Sequence, residues 1–148
     1  MLSKKAKYAL KALEYLARQE KDIPVHISEI STQQKIPRKF LEVILLELNR
    51  AGILQSKKGK AGGYLLLKKP EEIYIGSVIR LFDGPLALTP CVSYKYYQRC
   101  EECVDEATCG IRNLMQELRE ATNKILSKTS LANILKREKK LIQSLIEN

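Results

Sequence analysis

The four cysteines of the chain, Cys91, Cys100, Cys103 and Cys109, lie within 19 residues and could share one site. Iron–sulfur clusters and zinc ions are bound by several thiolates that converge, often from one loop. Zinc sites usually contain two close cysteine pairs, and here only Cys100 and Cys103 form one. The spacing therefore predicts an iron–sulfur cluster, of the 2Fe-2S or the 4Fe-4S type, with zinc or no metal as the alternatives.

The residues between the cysteines are mostly acidic. Glu101, Glu102, Asp105 and Glu106 outnumber Arg99. Negative charge disfavours the addition of an electron to a cluster, and it does not lower the pKa of a nearby thiol. A cluster bound here would be readily oxidised, which suits the sensing of oxygen, nitric oxide or redox state.

Catalytic chemistry has little support in this sequence. The single histidine, His26, has no candidate partner near it in the chain, and no phosphate-binding glycine loop is present. We expect no catalytic residues and a protein that is not an enzyme.

A second group of candidate residues lies in the first half of the chain, at the start of a predicted helix. Arg38, Lys39, Phe40 and Glu42 lie mostly off the apolar face of this helix. Basic side chains can donate to guanine, and a glutamate can accept from cytosine, in the DNA major groove. These four residues are therefore the candidate base-reading residues.

The segments that position these groups are mostly helical. Apolar residues recur at three- and four-residue steps through 3–19, and Ser28 is a candidate N-cap for a second helix that ends near Lys35. A third helix is predicted from about Pro37 to Ala51. Its expected buried face is Leu41, Ile44, Leu45 and Leu48. Two helices joined by a tight turn are typical of a helix-turn-helix.

A β-hairpin is predicted directly after the third helix, where it would form a wing. Short apolar runs at 53–56 and 64–67 flank a basic segment rich in glycine. Lysines there suit phosphate contacts, and glycines allow a close approach to a groove. The candidate wing residues are Lys57, Lys58, Lys60, Gly62 and Gly63.

The second half of the chain contains a further short helix from Ile75 to Phe82, an irregular cysteine loop and two long amphipathic helices. The first long helix starts near Ile111 and the second near Leu131. Such helices in a small chain often need a second copy to cover their apolar faces. The candidate dimerisation residues are Ile111, Leu114, Leu118 and Ile125.

These elements predict a mostly α-helical fold with a small β-hairpin: a winged helix-turn-helix followed by long C-terminal dimerisation helices. We divide the chain into a DNA-binding domain at 1–85, a cysteine-containing sensor loop at 86–110, and dimerisation and C-terminal helices at 111–148.

Charge and composition agree with a nucleic-acid partner. The 148 residues carry a formal net charge of +9, and residues 1–90 hold 16 basic against 9 acidic side chains. A basic excess on the predicted DNA-binding half favours a polyanionic partner. The chain shows neither a signal peptide nor an uninterrupted apolar run, so we expect a cytoplasmic protein that does not bind membranes.

Several short motifs together resemble the Rrf2 family of winged-helix regulators, which includes the iron–sulfur regulator IscR, the nitric-oxide sensor NsrR and the cysteine-metabolism repressor CymR. The matching pieces, in order, are Tyr8-Ala9-Leu10, the segment 36–42 that opens the third helix, the segment 58–64 of the wing, and the cysteine loop before a long helix.

The resemblance implies a homodimer that crosses its long helices, binds a palindromic operator in double-stranded DNA and, in some members, carries a cluster. Cys91, Cys103 and Cys109 match the cysteines of the family, whereas Cys100 is an extra thiol. Arg112 stands where the cluster regulator has a histidine ligand, and Tyr8 where some nitric-oxide sensors have an acidic one. Either Cys100 completes a four-cysteine set, or the site is not a cluster site of the known kind.

Three functions remain open from the sequence. The first is a DNA-binding transcriptional regulator that senses iron–sulfur, redox or nitric-oxide status through the cysteine loop. The second is a regulator or interaction protein controlled by a metabolic-enzyme partner or a thiol switch without a cluster. The third is a zinc-stabilised DNA-binding module.

Overall fold

The computed structural model describes residues 2–147, so Met1 and Asn148, which bound the first and last predicted segments, lie outside the described range. Within this range the chain forms six α-helices and one antiparallel hairpin, which confirms the mostly helical fold. The elements are α1 (Lys4–Arg18), α2 (Ile27–Gln34), α3 (Arg38–Arg50), β1 (Leu54–Lys57), β2 (Gly63–Leu66), α4 (Ile75–Asp83), α5 (Gly110–Leu126) and α6 (Leu131–Ile146). Two 3-10 turns lie at Pro70–Glu72 and Pro90–Val92.

The core lies where α1, α2 and α3 pack together. Helix α1 contributes three fully buried alanines, whose small side chains let neighbouring helices approach closely, and also Leu13. Helix α3 buries the four residues expected from its apolar period, Leu41, Ile44, Leu45 and Leu48, and each of them is fully inaccessible. This packing orients the opposite face of α3 towards solvent.

The start of α2 differs from the expectation. Ser28 lies inside the helix, and the N-cap is His26, whose side chain makes no capping hydrogen bond. The reason is a tertiary contact: Val25 pairs with Tyr64 through two backbone hydrogen bonds of 2.9 Å, which keep the chain extended up to His26. The prediction of Ser28 as the cap is therefore wrong. Helix α2 ends at Gln34, and its C-cap Lys35 adopts a left-handed conformation with φ of 52° before the turn into α3.

The hairpin follows α3, and apolar residues pair across its two strands. Leu54 pairs with Leu66, and Lys57 pairs with Gly63, so both strands are displaced by one residue from their predicted limits. Ile53 donates to the Leu48 carbonyl at 3.0 Å, which fixes the hairpin to the end of α3.

The last helix returns to the core formed by α1, α2 and α3. Leu131, at the start of α6, is fully buried in the same core as α1 and α3, and its N–H donates to the Ile73 carbonyl at 2.8 Å. In the other direction, Ile75 donates to the Thr129 carbonyl at 2.9 Å. The connection between α5 and α6 is therefore anchored directly beside α4.

Two adjacent leucines of α3 test this packing. We expect Leu45→Ala to lower the free energy of unfolding by about 2–5 kcal/mol, because it leaves a cavity in a fully buried site. Leu46→Ala removes the same atoms from a side chain that is 42% exposed, and it should change stability by only about 0.5 kcal/mol. Urea denaturation of both variants makes the comparison, and equal losses would contradict the assigned buried face.

Candidate nucleic-acid interface and cysteine loop

The predicted base-reading residues lie together on the exposed side of α3. Arg38, Lys39, Phe40 and Glu42 are all exposed in the first turns of the helix. The Nε atom of Arg38 donates to Oε1 of Glu42 at 3.3 Å, an exposed pair with spacing i, i+4. Such a pair adds little stability, but it holds two groups of opposite hydrogen-bonding character side by side.

Phe40 is partly packed against α1 and partly exposed on this surface. Its ring makes an edge-to-face contact with Tyr8 of α1, with centroids 5.9 Å apart, while 44% of the residue remains exposed. Sequence reasoning missed one neighbour, Val43, which is also exposed on α3. The sequence does contain a signal for this residue, because Val43 is apolar and lies outside the regular apolar repeat of the helix.

The wing presents its lysines to solvent, whereas its glycines have structural reasons to be there. Lys57, Lys58 and Lys60 are exposed. A Cβ atom on Gly62 would lie 2.3 Å from the Lys57 carbonyl oxygen, and one on Gly63 would lie 2.2 Å from that of Val25. Both glycines are therefore required by the packing of the hairpin itself, and their contact with DNA stays a prediction.

The cysteine loop places its four free thiols in different environments. Cys91 is buried within the turn Pro90–Val92, Cys100 is exposed, and Cys103 and Cys109 are half-buried. The Cys103 N–H donates to the Cys100 carbonyl at 3.2 Å. Cys109 forms the N-cap of α5, where its sulfur accepts from the Arg112 N–H at 3.4 Å.

Cys100 has a perturbed thiol. A hydrogen bond with Cys91 raises the pKa of Cys100 above its ordinary value, and the charges of Cys91, Cys103 and Glu102 act in the same direction. The pKa of Cys100 is therefore not lowered, as the acidic residues of the loop led us to expect. The environment of Cys100 favours its neutral thiol over its thiolate.

The donor set suits a cluster or zinc, but the loop does not present a preformed site. Four thiols can supply the thiolates that either group requires. Among residues 2–147, however, no three side chains of the ligand types histidine, cysteine, aspartate and glutamate are grouped closely enough to hold a metal ion. Binding would require the loop to close around the metal.

A buried arginine of α5 attaches this loop to the rest of the protein. Arg119 is 7% exposed, donates from NH1 to the carbonyl of Val92, and stacks on Tyr94 with its guanidinium carbon 3.9 Å from the ring centroid. It also donates to Glu120 at 3.3 Å. Sequence reasoning missed Arg119. It occupies the side of α5 that packs on the protomer, away from the apolar residues that are predicted to form the dimer interface.

The arrangement of the helices and the hairpin defines a class of protein. A helix-turn-helix followed at once by a hairpin, with a charged and exposed second helix, is the architecture of winged-helix DNA-binding regulators. The chain matches the model of the Rrf2 family, described as an iron-dependent transcriptional regulator, over residues 2–137. It belongs to this family.

Individual relatives agree with the assignment. An rrf2-like HTH-type transcriptional regulator of Rhodobacter capsulatus is 46% identical over 121 residues, covering 80% of this chain and 81% of that protein. The regulator NsrR of Halalkalibacterium halodurans is 30% identical over 134 residues, covering 90% and 89%. The crystal structure of CymR, the global cysteine regulator of B. subtilis, superimposes with a TM-score of 0.74 at 26% identity, covering 90% of this chain and 95% of CymR.

These relatives confirm the winged-helix fold and the expectation of a DNA-binding transcriptional regulator rather than an enzyme. None of the helices formed by residues 2–147 has the length and apolar character needed to cross a bilayer.

The attachment of the loop through Arg119 can be tested by chemical labelling. We expect Arg119→Gln to increase the alkylation rate of Cys91, because the variant loses the charged hydrogen bond to the adjacent Val92 and the stacking on Tyr94. Lys124→Gln, at an exposed position of the same helix, is the matched control. Mass spectrometry of the iodoacetamide-treated protein reports each cysteine, and exposed Cys100 is the internal reference. A constant ratio of Cys91 to Cys100 labelling in both variants would argue against the attachment.

Proposed function

We propose that the protein is a homodimeric regulator that binds a palindromic operator and senses iron–sulfur, redox or nitric-oxide status through its cysteine loop. The observation that carries the proposal is the two-sided character of α3. One side is fully buried in the core, and the other presents Arg38, Lys39 and Glu42 to solvent beside a basic wing.

The exposed side of α3 has the chemistry to read bases. Arg38 and Lys39 can donate to the acceptor atoms of guanine, and Glu42 can accept from a cytosine amino group. Val43, one turn beyond Lys39, adds an apolar group of the kind that contacts a thymine methyl. The wing lysines would contact phosphates, which supply affinity without sequence preference.

Dimerisation through α5 is supported by the apolar residues on the exposed side of this helix. These are Ile111, Leu114, Leu118 and Ile125, which are between 41% and 70% accessible. The protected side of α5 carries the buried Arg119 and the half-buried Met115, Asn123 and Leu126. A helix with its apolar residues facing solvent is stabilised when a second copy covers them.

The sensing proposal depends on the cysteine loop and its attachment. A cluster held by Cys91, Cys100, Cys103 and Cys109 would draw the loop together, and Arg119 contacts the segment directly after Cys91. The metal would supply the redox chemistry, while the residues of the chain hold it and transmit the change in loop position to α5.

The DNA interface is tested by two kinds of variant. We expect simultaneous Lys57→Ala, Lys58→Ala and Lys60→Ala to weaken binding to all duplex sequences and to reduce the log–log salt slope by about three at most. Arg38→Ala and Glu42→Ala should instead alter the preferred base, with about 1–3 kcal/mol lost at the contacted position. Lys139→Ala on α6 controls for loss of charge. Fluorescence anisotropy with selected operators makes the measurement, and an unchanged base preference in both α3 variants would refute the recognition-helix assignment.

The dimer is tested by placing charge on the apolar side of α5. Leu118→Asp should yield monomers or aggregates, because two carboxylates would be buried at the interface. Asn113→Asp adds the same charge at an exposed polar position of α5 and should leave the dimer intact. Analytical ultracentrifugation distinguishes the species. A folded wild-type monomer at micromolar concentration would exclude the proposed interface.

The ligand set is tested by four single substitutions of anaerobically reconstituted protein. If all four cysteines hold one cluster, each change to alanine should remove most of the visible absorption. Cys100→Ala is the informative variant, because it keeps the colour only if the other three cysteines are sufficient. Iron, sulfide and zinc analysis accompanies the spectra. Wild-type protein that binds none of them, yet binds DNA specifically, would replace the cluster proposal with a thiol switch or a loop without a sensing role.

A further inference from the structure

A cavity of about 240 Å³ lies between α4, α5 and the segments on either side of the turn that holds Cys91. Arg80 lines it from α4 and Arg119 from α5, Leu86 from the chain that leaves α4, and Tyr94, Lys95 and Tyr96 from the chain after the turn. A cavity of this kind suits a small molecule.

The charges around this cavity are unbalanced. Arg80, Lys95 and Arg119 contribute three cations, whereas none of the described lining residues carries a carboxylate. Glu120 neutralises part of the Arg119 charge from outside the lining, through a contact of 3.3 Å. Asp83, one turn from Arg80, is already engaged by the backbone N–H of Ser3 at 3.0 Å. A bound anion would relieve the remaining repulsion between these cations.

Two of the cations are available to a ligand. Arg80 uses NH1 for a hydrogen bond to Oδ1 of Asn123 at 3.2 Å, which orients its guanidinium and leaves its other N–H groups for an incoming oxygen. Lys95 has its ammonium group 5.6 Å from the centroid of Tyr96. Arg119 is held by Val92 and Tyr94 and supplies fixed positive charge to the wall.

The rest of the wall is apolar and aromatic. Pro85, Leu86 and Ala87 form one side, and the rings of Tyr94 and Tyr96 contribute to the other. Small-molecule sites commonly combine such walls with a few polar groups that fix orientation. The ligand that matches is an anion with an apolar body, since a bare inorganic ion would leave these walls unused.

We propose that this cavity binds a small organic carboxylate, with its charged end near Arg80 and Lys95 and its apolar body between Leu86 and the tyrosine rings. The proposal goes beyond DNA binding and cysteine chemistry. A ligand in this position contacts α4, α5 and residues 93–96 together, so it would hold the cysteine loop against both helices.

Matched ligand pairs test the chemical class. Isothermal titration calorimetry of the wild-type protein, without DNA or added metal, compares benzoate with benzamide and isovalerate with isovaleramide. Each amide keeps the shape of its acid and lacks the charge. We expect the acids to bind at least about tenfold more tightly than the amides, and inorganic phosphate to bind more weakly than the acids. Equal binding of acid and amide, phosphate binding as tight as that of the acids, or no acid binding up to about 10 mM would overturn the proposal.

Variants at exposed positions locate the site without disturbing the core. Arg80→Gln with Lys95→Gln should weaken benzoate binding by about tenfold or more, whereas Lys139→Gln, which removes an exposed charge outside the cavity, should bind as the wild type does. Melting curves of the free proteins verify that the variants are folded. In the wild type, benzoate should slow amide hydrogen exchange in residues 93–96. Unchanged affinity in the double variant, or exchange in this segment that ignores the ligand, would contradict the assigned location.

Discussion

The packing of α3 against α1 is the constraint on which the rest of the structure depends. Each fully buried leucine or isoleucine on α3 contributes about 1.5–3 kcal/mol through removal of apolar surface from water. Four such side chains allow only one rotation of the helix about its axis. That rotation determines which residues of α3 meet solvent. It also sets the starting point of the hairpin, because Ile53 is bonded back to the last turn of α3 through Leu48.

The cysteine loop and α5 follow a different rule, because a buried charged group joins them while several apolar residues of α5 are exposed. Burying the guanidinium of Arg119 is costly unless its hydrogen bonds and charge are compensated. The Val92 carbonyl, the Tyr94 ring and Glu120 provide that compensation on three sides, while its Nε atom has no partner. The loop is thus held by directional contacts in addition to the burial of Cys91 and Val92. Such contacts can be broken or re-formed without disturbing the core around α3.

The sequence predicts an element correctly where a regular apolar repeat determines it. It does not where a contact with a distant part of the chain determines the element. The buried side of α3 was predicted residue by residue, because Leu41, Ile44, Leu45 and Leu48 follow the helical repeat. The prediction of Ser28 as the N-cap was wrong, and the strands of the hairpin lie one residue away from their predicted limits. Both differences lie next to the pairing of Val25 with Tyr64, which connects segments distant in the sequence. Arg119 was not predicted because the clearest pattern in the sequence of α5 is its apolar residues, which lie on another side of the helix. The positions of the four thiols could not be predicted, since the loop lacks a repeating pattern that would orient them.

A loop fastened in this way is energetically suited to regulation. Coupling between two sites in a protein typically amounts to about 1–3 kcal/mol, which is the scale of one or two hydrogen bonds to a charged group. The contact of Arg119 with Val92 belongs to this class, and it joins the residue after Cys91 to the helix proposed to pair with a second copy. A second link, from Asn123 to Arg80, continues from α5 to α4, which is connected through Ile75 to the core that orients α3. In the proposed regulator, a chemical event at the cysteines would act on α3 through these two contacts, and it would not need to unfold the core to do so.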